Sequence, residues 1–282
     1  MNILQLRNLI LNFLNEDLGL AGDITSSSLP DKEGRAVLIA REGGVLCGAP
    51  VFEMVFKSLN GEVIFNWMKE DGEELEPGSV VCELRGNVKE ILTAERTALN
   101  LIQRLSGIAT ETRKYSKVLE GYPVRLLDTR KTTPGLRVLE KYATRVGGAL
   151  NHRFGLYDAV MIKDNHIKAF GGVRRAVEEV VKNAPVTAKV EVEIESWDEL
   201  EELLSVIELV DIVMLDNWSD GEVEKGALTL KERKEDIKVE VSGGITYERL
   251  FFLRELPIDF VSTSRIITAA KWMDFSLEVL WT

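Results

Sequence analysis

The chain has 282 residues, is 45% hydrophobic and 29% charged, and carries a formal net charge of -11. That is the composition of a soluble globular protein of one or two domains, and the acidic balance argues against nucleic-acid binding, which needs a broad basic surface. No apolar run approaches the roughly 20 residues of a membrane span, and Cys47 and Cys82 show neither metal-ligand nor disulfide spacing, which points to a reducing cytoplasm.

The first residues, MNILQLRNLILNFLNEDLG, lack the basic start and small-residue cleavage site of a secretory signal. They predict an amphipathic helix with Leu6, Leu9, Ile10, Phe13 and Leu14 on one stripe. Gly19 to Pro30 is rich in glycine and small hydroxyl residues and reads as a loop. From Arg35 to Glu90, short β-like runs (AVLIARE, GGVLCGA, GEVIFNWM, SVVCEL, VKEIL) alternate with glycine-bearing turns and predict a small β-rich unit. The piece EDGEELEPGSVVCEL is like the hairpin of biotinyl and lipoyl carriers. Lys69 does not sit in an apolar-flanked tight turn, so a structural sheet is the better reading. Thr93 to Leu119 predicts one long helix, with Thr93 as N-cap and Ala98, Leu99, Ile102, Leu105 and Ile108 at helical spacing. Spacing alone makes Arg96, in its first turn, a surface charge.

From Val124 the rhythm becomes regular. VRLLD, AVMIKD, KVEVEIE, DIVMLDN, KVEVSGG and DFVSTS are strand-like, with helical patterns such as VRRAVEEVVKNA between most of them. Alternating strands and helices predict a parallel sheet. Strands that each finish in polar groups predict a β/α barrel, whose active site gathers at their C-terminal ends. Six strands are countable, so the barrel is incomplete or includes a weaker strand near Gly147 to Arg153.

The stretch Asp128 to His166 departs from the acidic whole: seven Lys and Arg face four acids, and both histidines, His152 and His166, fall within it. Cations concentrated beside strand ends and glycines can hold a small anion. Arg130, Lys131, Arg153 and Lys163, with His152, suit a ligand bearing more than one carboxylate, or a carboxylate and phosphates, because Arg forks match carboxylates and Lys acts as a point charge. In KVEVEIE, Glu191, Glu193 and Glu195 share one side, and an acid row facing a barrel interior is costly unless cations meet it. Glu193 and Asp216 then suit ribose hydroxyls or Mg²⁺. Ser242-Gly243-Gly244, after a late strand, offers bare backbone N–H groups to a phosphate, and Ser262, Thr263 and Ser264 on the next strand complete such a site.

DTRKTTPGLRVLEKYA, GGALNHRFGLYDAVMIKDNHI, EVE, MLDN and VEVSGGIT, with EDLGLAGDIT and LTAERTALNLIQRLSGIAT, resemble the quinolinate phosphoribosyltransferase family across nearly the full chain. The resemblance implies an α/β fold, an incomplete β/α barrel with a β-rich α+β open-faced sandwich as N-terminal domain. Residues 1–110 plus 271–282 would form the sandwich and 111–270 the barrel. It implies transfer of phosphoribose from phosphoribosyl pyrophosphate to quinolinate with decarboxylation, Mg²⁺ as cofactor, and a homodimer or dimer-based hexamer.

The resemblance also assigns roles. Arg96 of AERT would enter the neighbouring subunit's site, which overturns its reading as a surface charge. Arg130, Lys131, His152, Arg153 and Lys163 would clamp quinolinate, with Lys131 also near the donor. Glu193 and Asp216 would serve the ribose and Mg²⁺ side, and Ser242, Gly243 and Gly244 the 5′-phosphate. A glycine is expected soon after the last barrel strand; here the chain reads STSR, where Thr263 or Ser264 can substitute. Two other readings use the same barrel: a molybdenum-transport-associated homologue, and a Schiff-base lyase with Lys163 as nucleophile. A non-catalytic binding protein is a third.

Overall fold

A computed structural model describes residues 3–59 and 62–280. Gly61, where one expected β-run begins, and Trp281 and Thr282, at the end of the tail, lie outside the described residues. The first half of the chain forms α1 (Ile3–Leu18), β1 (Glu33–Ala40), β2 (Gly44–Val45), α2 (Ala49–Lys57), β3 (Ile64–Trp67), β4 (Glu74–Leu75), β5 (Val80–Asn87) and α3 (Val88–Val118). It continues as β6 (Arg125–Leu127), α4 (Arg137–Gly147), β7 (Val160–Ile162), α5 (Asp164–Phe170), α6 (Val173–Asn183) and β8 (Val190–Ile194). The remainder is α7 (Trp197–Leu204), β9 (Ile212–Asp216), α8 (Asp220–Arg233), β10 (Lys238–Ser242), α9 (Leu250–Leu253), β11 (Phe260–Ser262), α10 (Arg265–Thr268) and β12 (Phe275–Leu280). Two compact units result. One comprises residues 1–113, 133–148 and 270–282, the other 114–132 and 149–269. No helix among the described residues is long and apolar enough to cross a membrane.

The first unit is built on an antiparallel sheet of order β12-β1-β5-β3. The C-terminal segment returns to it, pairing from Phe275 opposite Ala40 to Leu280 opposite Arg35. On the way it crosses α3 at Gly107, where a Cβ would lie 1.9 Å from the Lys271 carbonyl oxygen; only glycine permits that crossing. Two expectations are corrected here. The run VKEIL is not a strand but the start of α3, because Val88, Ile91, Ala94 and Ala98 bury one helical stripe. Its cap is Asn87, whose side-chain oxygen accepts the Lys89 N–H at 2.9 Å, while Thr93 lies inside the helix and donates its hydroxyl to Asp23 at 3.0 Å. The β-rich stretch also contains a helix, α2, which opens with a proline in its first turn and buries Val51, Phe52, Val55 and Phe56 at helical spacing.

In the second unit all six expected strands form one parallel sheet, ordered β6-β11-β10-β9-β8-β7. A single parallel bridge from Leu127 to Leu150 adds the weak strand expected near Gly147 to Arg153. Among the described residues no pairing joins Leu150 to β7, so the barrel stays open there. Aliphatic residues such as Val213, Leu215, Val239 and Val241 fill the core. At the N-terminal ends of the strands, Asp211 accepts the Val190 N–H and pairs with Lys189, and Asp259 accepts the Val239 N–H and pairs with Lys231 and Lys238. Those acids fasten the lower rim. The opposite rim, where the strands end, carries side chains left for other work.

Candidate active site

Six strand ends and one bridge deliver the polar groups. A hollow of about 480 Å³ is lined by Thr129, Arg130, Lys131, His152, Arg153, Met161, Lys163, Glu193, Met214, Asp216, Ser242 and Ser262. It adjoins a second hollow of about 220 Å³ formed by Ser242 to Thr246 and Ser262 to Arg265, with Thr129, Lys131, Ser242 and Ser262 common to both. The larger hollow is in the size range of small-molecule sites.

Asp128, fully buried just beyond β6, organises the cationic wall. One of its oxygens accepts the His152 N–H at 2.9 Å and the other the Asn151 amide at 2.7 Å, which pins residues 151–153 to the strand. Arg153 donates from Nη1 to the Ala159 carbonyl at 3.3 Å. Burial, and then the positive charge of Arg130, pull its pKa below the ordinary value. Arg130 has a buried Nε with no hydrogen-bond partner. Two guanidiniums that repel each other while partly desolvated favour an anion between them. The other histidine of the stretch has a different task. His166 accepts the Lys163 N–H on Nδ1 at 3.0 Å and caps α5, which sets the start of that helix.

The glutamate row behaves as period-2 geometry requires. Glu193 forms an ion pair with Lys163, and burial pushes its carboxyl above the usual range against the pull of that lysine. Carboxylate oxygens of Glu193, Glu195 and Asp216 lie within 4.8 Å of one another. Glu191 meets His152 instead, Oε2 to Nε2 at 3.1 Å. His152 Nδ1 accepts the Arg153 N–H at 2.8 Å, so the ring proton sits on Nε2 and points at Glu191. His152 lines the hollow beside Arg130, Arg153 and Lys163, where the sequence placed it, and its ring is also held by Glu191 and the Arg153 N–H.

Beneath lies a residue the sequence reading did not single out. Glu240 is 1% exposed, 3.6 Å from His152 Nε2, and neither of its oxygens has a hydrogen-bond partner. The signal was its parity: in KVEVS it shares a face with Ser242. Burial, and then the charge of Glu191, push the Glu240 carboxyl up to about 8. A folded-state pKa above the ordinary 4.5 means that folding takes up a proton across that window. Stability is therefore full below about 4.5 and falls as pH rises through about 8. Glu240→Gln is expected to abolish that fall. Thermal melts should show the variant gaining on the wild type as pH rises from 5 to 9. A parallel loss in both proteins would contradict the assignment.

The second hollow brings Ser242–Gly244 together with Ser262–Ser264. Gly243 and Gly244 adopt φ of +79° and +60°, which aims a turn of bare backbone at the cavity. The Thr263 hydroxyl is buried, accepts the Arg265 N–H at 3.2 Å and donates to the Ile245 carbonyl at 3.4 Å, so it braces the loop. Arg96 belongs to the other unit. It is exposed there on α3 and lines a hollow with Phe13, Asp17, Arg104 and Trp272.

Comparison with known proteins points to one family over nearly the whole chain. The profile described as quinolinate phosphoribosyl transferase, N-terminal domain, matches residues 23–106, and that of the C-terminal domain matches residues 108–278. A probable nicotinate-nucleotide pyrophosphorylase [carboxylating] of Bacillus subtilis is 41% identical over 280 residues, spanning 99% of this chain and 95% of the relative. The protein of the same description in Synechocystis is 40% identical over 269 residues, spanning 95% and 90%. Among solved structures, NadC from Streptococcus pyogenes superposes with a TM-score of 0.91 at 40% identity over 100% of both chains.

Proposed function

The chain belongs to the quinolinate phosphoribosyltransferase family, and we infer that it transfers phosphoribose from phosphoribosyl pyrophosphate to the ring nitrogen of quinolinate. Pyrophosphate and CO₂ leave and nicotinate mononucleotide forms, a step of NAD biosynthesis. The observation that carries this reading is the meeting of Arg130, Arg153, Lys131 and Lys163 with Glu193 and Asp216 around one hollow.

Positioning comes first. Arg130 and Arg153 take the two carboxylates and present the pyridine nitrogen to the anomeric carbon, which converts a bimolecular encounter into an intramolecular one. Lys131, exposed and shared by both hollows, reaches toward the donor phosphates. The ring nitrogen attacks C1′, and the C1′–O bond breaks with its electron pair leaving on pyrophosphate. Glu193 and Asp216 favour the positive charge that develops on the ribose. The quaternary nitrogen then stabilises the carbanion left when the C2–carboxylate bond releases CO₂, and a proton takes its place. Lys163 is engaged with Glu193 as a charge partner, which gives a Schiff-base lyase no support.

Three further features are proposals. Glu193, Glu195 and Asp216 suit Mg²⁺, which prefers few carboxylates and retained water. Glu193 and Asp216 would hold it, and when bound it would offset charge on the donor's pyrophosphate. The second is that the protein works as a cytoplasmic homodimer. The third is that Arg96 of one subunit reaches the quinolinate site of the other. Mixing quinolinate with phosphoribosyl pyrophosphate and Mg²⁺ is expected to release pyrophosphate and CO₂ in equal amounts. Release of neither would refute the reading.

A further inference from the structure

β9 ends at Asp216, and the next residue, Asn217, has φ of +61°, the one positive φ among the described non-glycine residues. That left-handed conformation is strained for an L-residue, and asparagine tolerates it better than most. Backbone strain of this kind persists only where the surroundings enforce it. Here they do so on three sides. The Asn217 N–H donates to the Ser242 carbonyl at 3.1 Å. Its side-chain amide donates to Asp216 Oδ2 at 2.7 Å. Its Oδ1 lies against Gly243, where a Cβ would come within 2.3 Å of that oxygen and 2.6 Å of the Asn217 nitrogen. One amide thus touches the acid assigned to the ribose and the glycine turn assigned to the phosphate.

We propose that Asn217 is a positioning residue for the phosphoribosyl donor: its left-handed backbone and side-chain amide hold the Asp216 carboxylate in register with the Ser242–Gly244 turn. The proposal rests on the functional reading above, which assigns both groups to the donor. The amide holds Asp216 Oδ2 and so sets the rotation of the carboxylate that the ligand meets. It also explains why position 243 is glycine beyond its positive φ, since the Asn217 side chain fills the space a methyl group would need. Quinolinate makes no demand on this contact, so donor and acceptor kinetics should separate.

The decisive variant is Asn217→Gly, which keeps the left-handed backbone and deletes only the amide. Were Asn217 simply a turn residue, this variant would be as stable as the wild type and kinetically identical to it. Positioning instead predicts a KM for phosphoribosyl pyrophosphate raised about tenfold, with the KM for quinolinate changed less than about twofold and the melting temperature unchanged. An unchanged donor KM would overturn the proposal, as would an equal rise for both substrates. Should the glycine variant melt early, Asn217→Asp carries the test. It keeps shape and left-handed tolerance but sets a second carboxylate beside Asp216, so a raised donor KM supports the proposal and a wild-type value overturns it. A wild-type enzyme that releases no pyrophosphate when quinolinate and phosphoribosyl pyrophosphate are mixed would count against the functional reading itself, which separates the two failures.

Discussion

Arg153→Ala is expected to lower kcat/KM for quinolinate by about two to three orders of magnitude, mainly through KM, without loss of thermal stability. A partly buried guanidinium that binds a carboxylate through charged hydrogen bonds is worth about 3–4 kcal/mol when the fork is bidentate and water is excluded. The melting temperature should hold steady or rise, because the empty site keeps two cations that disfavour each other, Arg153 and Arg130. Arg153→Lys keeps the charge and loses the fork, so an intermediate loss of about tenfold is expected. Steady-state kinetics with quinolinate varied, alongside thermal melts, decide the point. A loss under tenfold for the alanine variant would remove Arg153 from the clamp.

Glu140→Ala is expected to cost 3–5 kcal/mol of stability, on the order of 10 °C in melting temperature. Glu140 sits fully buried on α4. Its Oε1 accepts Arg104 Nη2 at 2.7 Å, Arg104 Nε at 3.1 Å and the Thr133 hydroxyl at 2.9 Å, while Oε2 accepts the Thr133 N–H at 2.8 Å. Removing the carboxylate strands a largely buried guanidinium, and the cost of that exceeds anything the pair gained by forming. Glu140→Gln keeps the shape and part of the hydrogen bonding, so a loss about half as large is expected. Denaturant unfolding measures both, and an alanine variant within 1 kcal/mol of the wild type would contradict this view of the first unit.

Much of this architecture is legible in the residues. The six parallel strands announce themselves because each is a short run rich in Val, Ile, Leu or Met that finishes in polar residues, such as Lys163-Asp164 or Asp216-Asn217. The family motifs are just as visible, since they cluster where those strands end. Less can be read where one residue pattern serves two structures. Val88 to Leu92 is β-branched enough to pass for a strand, and only the stripe it buries and the Asn87 cap make it helix. Ala49 to Lys57 hides between glycine-rich turns for a similar reason, being too short for its periodicity to stand out.

At the site, charge and spacing identify Arg130, Arg153, Lys163, Glu193 and Asp216, and the fold brings them to one hollow. The roles of His152, Glu240 and Asn217 depend on partners on other strands: Glu191 is 39 residues from His152 in sequence. A tautomer set by a neighbouring backbone N–H, a carboxyl left without a donor and a left-handed φ are tertiary facts. Parity along KVEVS identifies Glu240 as inward, yet its protonation follows only from what surrounds it.

The central claim is that two guanidiniums and their neighbouring lysines hold two carboxylates on one pyridine. Isothermal titration calorimetry of the wild-type protein with quinolinate and with nicotinate, in the same buffer and salt, tests it most directly. Binding of quinolinate tighter by about tenfold to a hundredfold is predicted, the contribution of one further charged hydrogen-bonded carboxylate. Equal affinity for the two ligands would contradict the clamp.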